Sequence, residues 1–226
     1  MASECNISSN LKEIKKSIES IRQTGLITSE EVILVAVSKT KPVEAVIEAY
    51  EAGQRVFGEN KVQEAEAKFL DLRTGKKDIE LHLIGPLQSN KAKEAIQTFD
   101  VIQTLDRSKL VMALSKELKK QDRAVEFYIQ VNTGEEPQKA GVLPSGLSDL
   151  LKLCKSENLN VTGLMCIPPV DEEPSLHFSF LAKLAKENGI PKLSMGMSSD
   201  YELAVRFGAT HVRVGSGIFG ARNYPT

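Results

Sequence analysis

The apolar positions of this chain switch between two periods. Between residues 9 and 23, Leu11, Ile14, Ile18 and Ile21 recur at helical spacing with lysines between them. That stripe predicts an opening amphipathic helix. Residues 32–38 then read Val-Ile-Leu-Val-Ala-Val-Ser. The run is short and rich in β-branched residues, as expected of a strand buried on both faces in a parallel sheet. Further strands are predicted at 55–58, 81–85, 101–105, 126–132, 160–166, 192–195 and 211–215. Amphipathic stretches at 43–52, 60–72, 107–120, 144–157 and 174–188 separate them. Asp106 is expected to cap the helix after strand four, and Ser199 with Glu202 resembles a capping box after strand seven. Gly53, Gly189 and Gly208 fall where helices should end.

Eight strands in βα alternation predict an α/β fold, a single (β/α)8 TIM barrel with an extra N-terminal helix, filling residues 1–226 as one domain. A doubly wound sheet fits the alternation almost as well. The barrel reading has a consequence, because active residues collect where the strands end at their C-terminal face. Lys39, Asn60, His82 with Gly85, Asn132, Met165, Ser198, Ser199 and the stretch from Arg213 to Gly217 all fall at such positions.

Lys39 ends the first strand. An ammonium there is costly to desolvate unless it is paired or deprotonated, and one use of such a lysine is a Schiff base with a carbonyl compound. Taken alone it could equally be a surface lysine, and Lys41 is read as one. Val212-Arg-Val-Gly-Ser-Gly217 closes the eighth strand with two glycines and a hydroxyl, a turn whose N–H groups suit an anion such as phosphate. Gly196-Met-Ser-Ser-Asp200 adds two hydroxyls at the start of a helix, where negative ligands are favoured. Arg213, if it points inward, needs an acceptor, and a pyridine nitrogen would serve. An always-charged guanidinium there keeps that nitrogen unprotonated, a poorer electron sink. Asn60 could meet the phenolic oxygen of a bound ring, or simply cap the next helix.

Composition narrows the classes. The chain has 226 residues, 41% hydrophobic and 26% charged, with a net charge of −1. Balanced charge argues against nucleic acid as a partner. No window reaches the length of a membrane span, and the N-terminus shows no secretory signal, so a cytoplasmic protein without membrane contact is expected. Cys5, Cys154 and Cys166 follow no ligand pattern and are expected as free thiols, Cys166 in the core. His82, His177 and His211 are scattered, so no metal site is expected.

The motifs together resemble one family. Ala36-Val-Ser-Lys39, Phe57-Gly-Glu-Asn60, Val62-Gln-Glu64, His82-Leu-Ile-Gly-Pro-Leu-Gln-Ser-Asn-Lys91, Lys139-Ala-Gly141, Gly163-Leu-Met165, Leu193 to Asp200 and Val212 to Arg222 occur in this order. They are similar to the signature set of the pyridoxal phosphate homeostasis proteins, from about residue 10 to residue 224. The resemblance implies a barrel of the alanine-racemase type and pyridoxal 5′-phosphate held on Lys39. It places Ser198, Gly215 and Ser216 at the phosphate, Arg213 at the ring nitrogen and Asn60 at the ring. His82, Met165 and Ser199, in the same motifs, complete the expected cofactor contacts. Leu81, Lys61 and Ser216 depart from the family's usual aromatic, tyrosine and threonine.

The resemblance implies a carrier for vitamin B6 homeostasis without evident turnover, with apo forms of cofactor-dependent enzymes as partners. The alternative is an amino-acid racemase or lyase working from one barrel, and a barrel enzyme for another phosphate ester stands third. A racemase needs a base on each face of the substrate carbon. Tyr50, Tyr128, Tyr201 and Tyr224 are the tyrosines, and none has a matching context. With Thr226 soon after the eighth strand, no companion β domain is expected. Its absence removes the racemase dimer interface, so a monomer is expected.

Overall fold

A computed structural model of the chain describes residues 6–24, 31–121 and 123–221. Cys5, Arg222 and Tyr224 lie outside them. Eight parallel strands form a closed barrel in sequence order: β1 (Ile33–Val37), β2 (Val56–Glu59), β3 (Glu80–Leu83), β4 (Val101–Leu105), β5 (Glu126–Gln130), β6 (Asn160–Met165), β7 (Lys192–Ser194) and β8 (His211–Val214). β8 closes on β1, with Ile33 to Ala36 in register with His211 to Val214. The doubly wound alternative is thereby excluded.

Helices α2 (Val43–Glu51), α3 (Val62–Gly75), α4 (Ala92–Thr98), α5 (Ser108–Leu118), α6 (Leu147–Ser156), α7 (Pro174–Glu187) and α8 (Tyr201–Arg206) follow successive strands, and the short α9 (Ser216–Phe219) follows β8. The opening helix α1 (Ile7–Thr24) is capped by the Asn6 carboxamide, which accepts from the Ser9 amide at 2.9 Å. Its stripe of Ile7, Leu11, Ile14, Ile18 and Ile21 is fully buried. Each such side chain contributes about 1.5–3 kcal/mol relative to exposure. The stripe packs against α2, α8 and α9, over the seam where the barrel closes.

Alternation along the strands divides them into two faces. Leu34, Ala36, Phe57, Leu81, Leu83, Val212 and Val214 join the apolar layer beneath the helices. The other face fills the barrel, and much of it is polar. His82 from β3, Tyr128 from β5 and His211 from β8 meet inside, with ring centroids 5.9 Å apart for the two histidines and 5.4 Å for Tyr128 and His211. Gln103, Ser194 and Arg213 are buried with them.

Several expected boundaries differ. β5 ends at Gln130; Val131 still donates to the Met165 carbonyl at 2.8 Å and forms an isolated bridge with Val142. The seven-residue α4 was not foreseen, since so short a helix gives little periodic signal. Asp106 does not cap α5, which starts at Ser108; its carboxylate pairs with Arg107 instead. Nor do Ser199 and Glu202 form a capping box. α8 starts at Tyr201 with Asp200 before it, and Glu202 accepts from Ser17 of α1 at 2.6 Å. Gly53, Gly189 and Gly208 do follow helices, each with positive φ.

Candidate functional site

The C-terminal ends of the strands surround a cavity of about 370 Å³. It is lined by Lys39 and Lys41 after β1, Asn60 after β2, Ile84 after β3, Ile167 after β6, Met197 to Ser199 after β7, and Arg213, Gly215 and Ser216 from β8 and its turn, with Val37 and Gly220. Seven of the nine expected contacts therefore converge: Lys39, Asn60, Ser198, Ser199, Arg213, Gly215 and Ser216.

Local features place these residues. Gly85 lies against the backbone of Asn60, and a Cβ there would come within 2.3 Å of the Asn60 carbonyl oxygen. Only a residue without a side chain lets the β2 and β3 ends approach so closely. Gly196, at φ 86°, turns the chain after β7 so tightly that a Cβ would lie 2.4 Å from that of Ala204. This brings Ser198 back over the barrel, where its Oγ accepts the Gly215 amide at 3.1 Å. The hydroxyl proton of Ser198 remains available for donation. The amides of Ser216 and Gly217 open a helical turn and have no partner within it.

Arg213 points inward. It donates from Nη1 to Ser194 Oγ at 2.6 Å and from Nη2 to the Cys166 carbonyl at 2.9 Å. These bonds take two of its five N–H groups, leaving others for a group in the cavity. Burial pulls its pKa below the ordinary guanidinium value. A chain of hydrogen bonds continues behind it. Ser194 Oγ donates to Gln103 Oε1 at 2.6 Å, Gln103 Nε2 contacts His82 Nδ1 at 2.7 Å, and His82 Nε2 contacts Glu80 Oε1 at 2.6 Å. With this amide orientation Nδ1 of His82 accepts and Nε2 donates. Glu80 is held below the usual carboxylate range, first by that bond from His82.

His82 and Met165 do not line the cavity. His82 is fully buried between Gln103 and Glu80, and Met165 packs with Val101 and Tyr128 inside the barrel. His82 reaches the site only through Gln103, Ser194 and Arg213. Asn132 likewise does not line it; its carboxamide closes its own loop, bonding the Glu136 carbonyl and amide at 2.8 and 3.2 Å. Lys41 was read as a surface lysine. Its Nζ instead donates to the carbonyls of Phe219, Gly220 and Ala221 at 2.8, 3.1 and 2.9 Å, tying the β1 end to the chain after α9. Nothing local in the sequence distinguishes that lysine from a solvated one.

The donor set suits a small anionic aldehyde with a basic ring nitrogen. Three serines, an arginine with spare N–H groups and Lys39 share the lining of one cavity. The volume falls within the usual range for small-molecule sites. The described titratable groups of the lining are Lys39, Lys41 and Arg213, all cationic types. Tyr128 is buried elsewhere, its hydroxyl 3.1 Å from His211 Nε2. Burial pushes its pKa up. Cys154 and Cys166 are free, buried thiols, both pushed up to about 12 by burial. No described helix is long and apolar enough to cross a membrane. No cluster of potential metal ligands occurs among the described residues.

Three comparisons agree. The sequence pattern of the family described as the alanine racemase N-terminal domain matches residues 9–223. The pyridoxal phosphate homeostasis protein of Vibrio alginolyticus is 43% identical, over 97% of this chain and 99% of its own. That of Escherichia coli K12 is 36% identical, over 97% and 98%. The solved structure of PipY from Synechococcus elongatus with PLP bound is 37% identical, covers 95% of this chain and 100% of its own, and superposes with a TM-score of 0.81.

Proposed function

The chain belongs to the pyridoxal phosphate homeostasis protein family, built on the alanine racemase N-terminal domain, and from that premise we propose that it binds pyridoxal 5′-phosphate at the barrel mouth and serves cofactor homeostasis. The observation that carries this reading is the convergence of Lys39, Arg213 and the three serines on one cavity. The cofactor supplies an aldehyde that an amine can capture reversibly as a Schiff base, and a phosphate that anchors it.

Each residue then has a physical task. Lys39 would hold the cofactor through its side-chain amine, which must first shed a proton to solvent before it can capture an aldehyde. Ser198, Ser199 and Ser216 donate to the phosphate, joined by the amides of the β8 turn. Arg213 donates to the ring nitrogen and keeps it unprotonated. Asn60 meets the ring edge. His82 and Met165 support this wall from inside the barrel.

The same lining favours a carrier over a racemase. Carbon-acid chemistry on both faces needs a second base. Lys41 is committed to three carbonyls, and Arg213 is not a practical base. Apo forms of cofactor-dependent enzymes are the acceptors this role requires.

The test is to load the full chain with pyridoxal 5′-phosphate, trap with borohydride and map the modified peptide. Adduct at Lys39, with no exchange of amino-acid α-protons in D2O at an enzyme-like rate, supports the carrier. Rapid exchange would establish an enzyme, and absence of adduct would remove the covalent reading.

A further inference from the structure

We infer that Lys68 is a positioning residue for Lys39, acting with Glu59 and Glu64 as a clamp that fixes the chain on both sides of the capturing amine. The inference rests on the reading above that Lys39 holds the cofactor.

Lys68 is on α3, outside the barrel, and its side chain is 11% exposed. Its Nζ donates to the Ser38 carbonyl at 2.7 Å and to Glu59 Oε1 at 2.8 Å, and it pairs with Glu64 Oε1 at 2.7 Å. An ammonium has three donors, and these contacts use all of them. The two carboxylates then reach the neighbours of Lys39. Ser38 Oγ donates to the same Glu59 Oε1 at 2.7 Å, and the Thr40 amide donates to Glu64 Oε1 at 2.5 Å. The residue before Lys39 is thus held twice and the residue after it once, all through one ammonium.

The backbone shows why holding is needed. Thr40 has φ 62°. A β-branched residue in the left-handed region is strained and persists only where its surroundings enforce it. The Glu64 carboxylate on its amide enforces it here, and a bond from the Lys41 amide to the Ser38 carbonyl at 3.1 Å closes the turn. Lys39 lies inside that turn and lines the cavity.

Stability alone is a weak reason for this cluster. Glu59 is fully buried, and its Oε2 has no hydrogen-bond partner among the described residues. Burial raises its pKa even against the bonds from Lys68 and Ser38. Glu64 is also pushed up by burial, but Lys68 and the Thr40 amide outweigh this and hold it low. Buried ion networks are often no more stabilising than apolar packing of the same volume. What this one supplies is a fixed direction for one side chain.

The test separates attachment from binding. Lys68→Met, Lys68→Arg and Glu64→Ala are compared with the wild type for the rate of borohydride-trapped adduct at Lys39. Affinity for the alcohol analogue, pyridoxine 5′-phosphate, is measured beside it, together with the melting temperature. The expected result is attachment slowed about tenfold to a hundredfold in Lys68→Met and Glu64→Ala, as for a misaligned reacting group. Affinity for the alcohol should stay within about twofold, since binding energy realised in both ligands is unchanged. Lys68→Arg should recover part of the rate. If Lys68→Met leaves Glu59 too costly to fold, Glu64→Ala decides, because that carboxylate is 25% exposed. Wild-type attachment rates in Glu64→Ala, or equal losses for aldehyde and alcohol, would overturn the clamp alone. No adduct in the wild type would instead overturn the reading beneath it.

Discussion

Two cavities lie at opposite ends of β1, and the one of greater volume is not the candidate site. At the N-terminal ends of β1 and β2, beside α1, a cavity of about 460 Å³ is lined by Lys15, Glu19, Arg22, Glu31, Gln54 and Arg55, among others. The mouth at the other end encloses about 370 Å³. The difference is in what the polar groups already do. In the lower cavity Arg55 pairs with Asp78, donates to the carbonyls of Tyr50 and Gln54, and lies 4.0 Å over the Tyr50 ring. Arg22 pairs with Glu19. Charges of both signs cancel within the protein. At the mouth, cationic groups and hydroxyl donors from three strand ends surround one space, with no carboxylate in the described lining. Volume is a poor guide to function; donors gathered around a space are a better one.

Lys39→Ala gives the largest expected effect. Trapped adduct should disappear completely, and any visible band from the bound cofactor should be lost with it. Because Lys39 is half-buried inside a turn and not part of the apolar core, the melting temperature should change little. Persistence of covalent attachment at another lysine would break the contrast between the two ends.

The double variant Ser198→Ala, Ser216→Ala comes next. Each hydrogen bond to a charged group contributes about 1.5–3 kcal/mol. Losing one or both should weaken pyridoxal 5′-phosphate about tenfold to a hundredfold or more. Pyridoxal, which has no phosphate, should bind as it does to the wild type. The readout is the ratio of the two affinities. An unchanged ratio would move the phosphate away from the β7 and β8 turns.

Much of this was legible in the sequence, and the rest was hidden for identifiable reasons. The strand-like run before Lys39 and the alternation of periods give a parallel βα sheet, because burial on both faces is a property of consecutive residues; closure into a barrel rests on the pairing of β8 with β1. Seven residues of the cavity lining could be named because they end strands that a closed barrel brings together. His82 and Met165 carry the same motif signal, yet they point into the interior; a motif marks a position and not which layer its side chain reaches. Lys68, Glu59 and Glu64 form a cluster with Ser38 across 21 to 30 positions of chain. Such pairings have no periodicity to read. Lys41 reaches carbonyls 178 to 180 residues away, equally without local signal.

Between the two ends stands His211, and it supplies the pH dependence. Burial, with the positive charges of Lys192 and Arg213 behind it, holds its imidazole well below the usual pKa. The folded chain therefore keeps it neutral where the unfolded chain takes up a proton, below about pH 6.5. Proton binding by the unfolded state lowers stability as pH falls from there toward the depressed folded value, by at most about 1.4 kcal/mol per pH unit. The raised carboxyl of Glu59 acts with the opposite sign, gaining stability as pH falls. The difference between wild type and His211→Gln isolates the imidazole. Chemical denaturation between pH 7 and 5 should show a shallower loss in the variant. Parallel curves would mean that the histidine is charged in the folded barrel.

The smallest expected effect belongs to the lower cavity. Arg55→Ala removes an ion pair whose side chains are 41% and 55% exposed. Exposed pairs contribute about 0.2–1 kcal/mol, so melting should shift only slightly. Affinity for pyridoxal 5′-phosphate should stay within about twofold, because the substitution leaves every mouth residue in place. The structure also contains the route by which this could fail. The Arg55 carbonyl accepts the Glu80 amide at 3.0 Å, and Glu80 begins the hydrogen-bonded chain through His82, Gln103 and Ser194 to Arg213. A clear loss of affinity in Arg55→Ala that Gln103→Leu also produces would mean that the barrel interior couples its two ends. Unchanged affinity in Arg55→Ala would leave the lower cavity a closed arrangement of paired charges, with binding confined to the mouth.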